Sequence, residues 1–298
     1  MHDANQREGK GKLKQMAENP TNSINESSKN RKLDGEGFYK WLAGLVDSDG
    51  CISFWYELNK KYGYYILRMT LQVGSASVYD KDHKMLKYIQ DTTQMGTFCE
   101  DSRIKNGSVY KVWKVQKTSD INKIMPRLIK HMIIKAKYSD YIYQTFLKFS
   151  GKHLTIEEVE NLRKEAKEKR KIACPIKDKN YASWAWMAGY LDGDGCYSVQ
   201  YRKDRPNPII NIQVVCHHND KVGIEYLQKS LGGKISSHKG HLLRWRRSIG
   251  VESSTFAIKI LRKFHKFSVL KKHKIECLLN FHSQRLNEFT PMGEVIVR

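Results

Sequence analysis

Two stretches of the chain read almost alike: WLAGLVDSDGCISF at 41–54 and WMAGYLDGDGCYSV at 186–199. In each, an apolar run at helical spacing ends in Asp-x-Asp-Gly-Cys and passes straight into strand-like alternation. The copies are too far apart for tandem short repeats and stand at the spacing of two small domains. The pattern around them repeats as well. A helix ending at Asp47 is followed by strands CISFWYEL and YYILRMTLQV, a helix over 84–92, strands GTFCED and VYKVWKVQ, and helices over 119–134 and 138–149. The second copy runs from a helix ending at Leu191 through CYSVQY and IINIQVV, a helix over 221–231, GKISSH and HLLRWRRS, to helices reaching Asn287. The expected class is α+β, two pseudo-symmetric αββαββα halves, each with a four-stranded antiparallel sheet.

Boundaries follow from composition. Residues 1–34 are polar and read as a flexible tail, with a first repeat over 35–150 and a second over 180–298. The connector over 151–179 holds LTIEEVENLRKEAKEKRK, opened by a capping-box pattern at Thr155 and Glu158. It is charged nearly all round, so the expectation is a solvated helix.

The 298 residues can bury a core in each half, and 40 % hydrophobic and 11 % aromatic content excludes a disordered chain. Lys and Arg number 53 against 31 Asp and Glu, a net charge of +22, which calls for a polyanionic partner, nucleic acid first. No apolar run approaches the roughly 20 residues that span a bilayer, so no membrane partner is expected. Cys51, Cys99, Cys174, Cys196, Cys216 and Cys277 form no Cys-x-x-Cys pair and suggest neither zinc nor a disulfide framework. MHDANQREGKGK lacks the apolar core of a signal peptide. An intracellular protein is expected, in an organelle (chloroplast or mitochondrion) if encoded there and otherwise cytoplasmic.

Ala43-Gly44 and Ala188-Gly189 put the smallest side chains in the middle of apolar helices. Gly there costs about 1 kcal/mol of helix propensity, a loss that makes sense if the two helix backbones pack against each other. Both Asp-x-Asp-Gly turns then fall at one end of the interface. Asp49 and Asp194 stand near helix C-termini, where the dipole disfavours negative charge. At about 5 Å two carboxylates repel by roughly 3 kcal/mol for an effective dielectric of 20. A cation relieves this, and carboxylates with water suit Mg²⁺, with Mn²⁺ or Ca²⁺ fitting the same donors. A calcium loop is excluded, because Cys51-Ile52 and Cys196-Tyr197 begin strands where further ligands would stand. CHHND at 216–220 has no partner ligands at zinc spacing.

LAGLVDSDG (42–50) and MAGYLDGDG (187–195) resemble the LAGLIDADG homing endonucleases in their single-chain, two-motif form. The resemblance covers about 35–285. It implies a monomer of two four-stranded saddles lying in the DNA major groove, with helices on one face and the motif helices as the central interface. It implies metal at the last acid of each motif, Asp49 and Asp194, and at the preceding carbonyls of Ser48 and Gly193, while Asp47 and Asp192 are structural. The activity implied is hydrolysis of one phosphodiester per strand across the minor groove, leaving short 3′ overhangs. A basic residue beside the cut corresponds to Lys135 in MIIKAKYSD and Lys271 in SVLKKHKIE. Ser75 and Cys216 align where many members carry Gln.

On a saddle strand one face meets the helices and the other meets base edges. Ile52, Phe54, Tyr56 and Leu58 are expected inward, leaving Ser53, Trp55, Glu57 and Asn59 for DNA, with Arg68, Thr70 and Gln72 on the next strand. Arg103 and Lys111 add to this set. The other half offers Ser198, Gln200, Arg202, Asn211, Gln213, Arg244 and Arg246. Arg, Gln and Asn suit bidentate readout of G and A. The two faces differ, so the expected partner is an asymmetric double-stranded site of about two helical turns, on the order of 20 base pairs. Arg262, Lys263, Lys266, Lys271, Lys272 and Lys274 are placed to touch phosphates, which position without specifying. Two rivals remain open: an RNA-binding intron maturase, with intron RNA as partner, and a non-catalytic DNA-binding regulator.

Overall fold

In a computed structural model of the chain the described residues are 33, 35–77, 80–105, 108–171, 183–202, 205–217, 221–238, 240, 242–250 and 254–289. All but Leu33 of the expected tail, and all of the connector beyond 171, lie outside them.

The first half runs α1 (Gly35–Ser48), β1 (Gly50–Asn59), β2 (Tyr64–Ala76), α2 (Lys84–Thr93), β3 (Thr97–Lys105), β4 (Ser108–Val115), α3 (Thr118–His131) and α4 (Ala136–Phe149). After β5 (His153–Leu154) and α5 (Ile156–Arg170), the second half runs α6 (Trp184–Asp194), β6 (Gly195–Arg202), β7 (Arg205–His217), α7 (Lys221–Leu231), β8 (Lys234–His238), β9 (Leu242–Gly250), α8 (Ser254–Phe267) and α9 (Lys272–Phe289). The sheets share one topology, β1-β2-β4-β3 and β6-β7-β9-β8. All these ladders are antiparallel. This is the expected α+β class.

Each sheet turns one face to its helices. In β1 and β2 the pairs Ile52–Leu71, Phe54–Met69 and Tyr56–Leu67 lie on that face, with Leu67, Met69 and Leu71 buried. Tyr197–Ile212 and Val199–Ile210 repeat the arrangement. Leu58 shares the inward parity, yet it sits near the hairpin end and is 43 % exposed.

Close approach of the two motif helices joins the halves. A Cβ on Gly44 would meet the Trp186 carbonyl oxygen at 2.0 Å, and one on Gly189 would meet that of Trp41 at 1.9 Å. Only glycine permits this backbone contact, so the propensity loss at these positions has a packing cause.

The connector differs from expectation. Its capping box forms, with Glu158 N–H donating to Thr155 Oγ1 and Thr155 N–H to Glu158 Oε2. But α5 is docked rather than solvated. Val159 and Leu162, one turn apart, are buried; Arg163 lies over the Tyr56 ring, and Glu165 accepts from Tyr141. β5 pairs with β2 and adds a fifth strand to the first sheet. Two apolar residues suffice to anchor a helix whose remaining faces are charged.

Candidate active site

The first acid of each motif is a buried connector. Asp47 Oδ2 accepts from Ile133 N–H at 2.7 Å and Trp186 Nε1–H at 2.9 Å, and Oδ1 accepts from Lys135 N–H at 2.8 Å. Asp192 accepts from Trp41 Nε1–H at 2.9 Å, from Ser268 Oγ–H, and from the N–H groups of Val269, Leu270 and Lys271. Each carboxylate thus ties its own motif helix to the opposite motif helix and to the start of a later helix, α4 or α9. Burial pushes the Asp47 carboxyl up, against the pull of its N–H donors.

The second acids follow at the helix ends. Asp49 lies just beyond α1 and Asp194 is the last residue of α6; both are open to solvent. A Cβ on Gly193 would lie 2.0 Å from Ser48 Oγ and 3.1 Å from Asp49 Oδ2, so the two turns abut. The protein packed around its base raises the Asp49 carboxyl above its ordinary value, with Lys271 and then Lys135 pulling it down.

Both expected lysines converge here. Lys135 Nζ donates to the carbonyls of Val46, Ser48 and Gly50 at 2.8, 3.1 and 2.8 Å. Lys271 Nζ donates to those of Leu191 and Gly193 at 2.6 and 2.8 Å. Four of these carbonyls lie in the last turns of the motif helices, where a cation is favoured, and the fifth, Gly50, opens β1. Burial lowers both ammonium pKa values, offset for Lys135 by Asp47, Asp194, Cys51 and Asp49, and for Lys271 by Asp192, Asp49 and Asp194. Each lysine therefore senses both solvent-facing acids.

The donor set suits a hard divalent ion: two carboxylates and the Ser48 and Gly193 carbonyls, each with a second lone pair beside its lysine. Among the described residues no group of three or more His, Cys, Asp or Glu side chains gathers to hold a metal. A cation here would complete its shell with water and substrate oxygen, as Mg²⁺ does.

The outward faces carry matching rows beside the acids. Cys51, Gln72, Lys114 and Thr97 pair in sequence across the first sheet. Cys196, Gln213, Arg246 and Lys234 occupy the same places in the second. Ser53, and Trp55 with Arg68, continue the first face, where Arg68 is ion-paired to Glu57 at 2.9 Å. Thr70, opposite Ser53, shares the outward parity but is buried, contrary to its expected DNA contact. Ser198, Gln200 and Arg244 stand on the second face with Asn211, which is only 4 % exposed because it donates to Gln200 and accepts from Ser248. Asn59 is folded into its hairpin, bonded to Tyr64 Oη and Lys61 N–H. Side chains of Arg103 and Arg202 lie outside the described residues.

One expected DNA contact faces the other way. Lys111 shares strand parity with the buried Trp113 and Val115, on the helix side, and pairs with Glu100. Lys114 has the outward parity, and counting alternation back from Trp113 would have found it. Ser75 and Cys216 are also inward and buried. The outward glutamines nearest the acids are Gln72 and Gln213.

Two matched saddles joined by backbone contact, with paired acids and lysines at the joint, define a duplicated single-chain fold built around one composite centre. The chain belongs to the LAGLIDADG endonuclease family, whose model matches residues 42–148 and 187–283. The fold is shared with the LAGLIDADG homing endonuclease I-GzeII, solved in complex with a DNA target: 18 % identity, TM-score 0.63, covering 85 % of this chain and 92 % of that one. It is shared too with I-SmaMI bound to uncleaved DNA in the presence of calcium ions: 17 % identity, TM-score 0.60, covering 85 % and 94 %. I-SmaMI bound to cleaved DNA matches at 18 % identity and TM-score 0.60, covering 86 % and 92 %. No curated protein matches the chain by sequence.

Proposed function

We propose that this chain is a site-specific double-strand DNA endonuclease, working as a monomer on an asymmetric target of about two helical turns and leaving short 3′ overhangs. The observation that carries the reading is the convergence of Asp49, Asp194, Lys135 and Lys271 at the joint of two basic saddles. An antiparallel sheet with an outward polar face is a form that can read the major groove, and the unlike faces suit unlike half-sites.

Asp49 and Asp194, with the Ser48 and Gly193 carbonyls, would hold Mg²⁺ or a similar divalent ion, which would supply charge neutralisation and activation of water. The chain's own residues do the rest. The paired carboxylates orient water through hydrogen bonds. Lys135 and Lys271 keep positive charge beside both acids, which favours the charge that builds on a phosphate under attack. The polar rows on the saddles fix register, and the lysine-rich surface supplies salt-dependent affinity.

We place the protein inside the cell, in an organelle if encoded there and otherwise in the cytoplasm; none of its five described cysteines is in a disulfide. The test is cleavage of a randomised duplex library by purified protein with Mg²⁺ and with EDTA. One long asymmetric motif with a staggered cut, recovered only with metal, supports the reading. No cut in either condition overturns it and moves attention to RNA binding and splicing.

A further inference from the structure

Each half's lysine is fixed by a residue of the other half. Asp47, in the first motif helix, receives the indole N–H of Trp186 from the second and passes its remaining acceptor capacity to Ile133 N–H and Lys135 N–H. Lys135 is thereby held twice, its backbone by Asp47 and its ammonium by carbonyls at the end of α1 and the start of β1. The mirror arrangement runs from Trp41 through Asp192 to Lys271. An apolar side chain of similar bulk would fill either interface site. The N–H is what tryptophan adds, and in both copies it points at the acid that holds the lysine's own backbone.

We propose that Trp186 and Trp41 are positioning residues acting crosswise: Trp186 sets Lys135 through Asp47, and Trp41 sets Lys271 through Asp192. What the lysines do at the phosphates rests on the endonuclease reading; the crosswise linkage does not. A buried carboxylate that loses one donor turns about its broad terminal torsion toward those that remain. The loop it holds moves with it, and displacements of an ångström at a reacting group cost on the order of 100-fold in rate. The two sides are unequally buffered. Asp192 keeps Ser268 Oγ–H and three backbone N–H donors when Trp41 is lost, whereas Asp47 keeps two. The Trp186 linkage is therefore the more sensitive one.

The experiment follows each strand of an end-labelled target separately, in single turnover with Mg²⁺. Both lysines feel both acids, but Lys135 Nζ is bonded to the carbonyls flanking Asp49 and Lys271 Nζ to the carbonyl preceding Asp194. Trp186→Phe is therefore expected to slow one strand on the order of tenfold relative to the other, so that nicked duplex accumulates. Trp41→Phe is expected to bias the opposite strand, by less. Equal slowing of both strands, or the same strand slowed in both variants, overturns the proposal, because loss of stability alone has no strand preference. If phenylalanine disrupts folding, β-(3-benzothienyl)alanine at the same site keeps the bicyclic volume and removes only the N–H. A second readout needs no cleavage: ammonium resonances of ¹⁵N-lysine protein, assigned with Lys135→Arg and Lys271→Arg. The Trp186 variant should move the Lys135 signal and leave Lys271 in place, with the reverse for Trp41. Movement of both or of neither overturns the linkage. A wild-type protein that cuts neither strand sinks the nuclease reading, and the ammonium spectra then decide the linkage by themselves.

Discussion

Gly189 lies so close to Trp41 that a Cβ on the glycine would sit 1.9 Å from the tryptophan's carbonyl oxygen, and Gly44 stands to Trp186 in the same way at 2.0 Å. Both obstacles are backbone atoms of a helix and cannot swing aside. Gly189→Ala gains about 1 kcal/mol of helix propensity, but the helices must separate along the interface that joins the halves. The expected net effect is a loss of about 2 to 3 kcal/mol, read as a lower midpoint in urea denaturation. An unchanged or raised midpoint would contradict the backbone contact.

Asp49→Asn should leave DNA binding within a few-fold of wild type and lower cleavage by at least about 100-fold, since the negative charge and one carboxylate oxygen are removed with little change of shape. Its pH behaviour has a definite sign. The folded-state pKa is raised, so the carboxyl stabilises the fold fully below its unfolded value of about 3.8 and loses that contribution as pH rises through the raised value. In metal-free protein at pH 7 the neutral asparagine should therefore raise Tm. Added Ca²⁺ should raise the Tm of the wild type more than that of the variant. A variant that melts below wild type at pH 7 without metal contradicts the raised pKa of Asp49.

Much of this architecture is legible in the residues, and the limits are physical. Strand alternation and the doubled motif carry the order of elements because period and burial are local properties. Glycine in an apolar helix announces a close neighbour. The crosswise Trp–Asp bonds are invisible, because an indole in an apolar helix looks like core until the partner helix is placed. Lys111 and Lys114 differ only in parity, and one miscounted residue moves a side chain to the other face of a sheet. The docking of α5 rests on Val159 and Leu162 alone, below what a charge-dominated pattern reveals.

Leu162→Ala tests that docking. A solvated connector would feel the change by no more than about 0.5 kcal/mol. A side chain buried against the first half should cost about 2 kcal/mol, and limited proteolysis within 156–170 should speed up in step. No change in either measurement would return α5 to solvent.

Arg68 and Glu57 form an ion pair on the outward face of the first saddle, with side chains 43 % and 49 % exposed. Such a pair contributes at most about 1 kcal/mol to stability, so Glu57→Gln should leave Tm nearly unchanged. Its effect belongs to binding. In free protein the guanidinium is held by Glu57, with Nε–H and Nη2 both on Oε2. That orientation leaves fewer donors for a base edge and puts a negative charge beside the groove. Glu57→Gln frees the arginine and removes the charge. Affinity for the cognate duplex should rise a few-fold, with a steeper salt dependence. Discrimination should change at a single base-pair position, since an arginine fork reads one guanine at a time. Arg68→Ala should lose that same position and leave the remainder of the target unchanged. Changes spread over many positions, or a large fall in Tm, would show that the pair braces the strand instead of reading DNA.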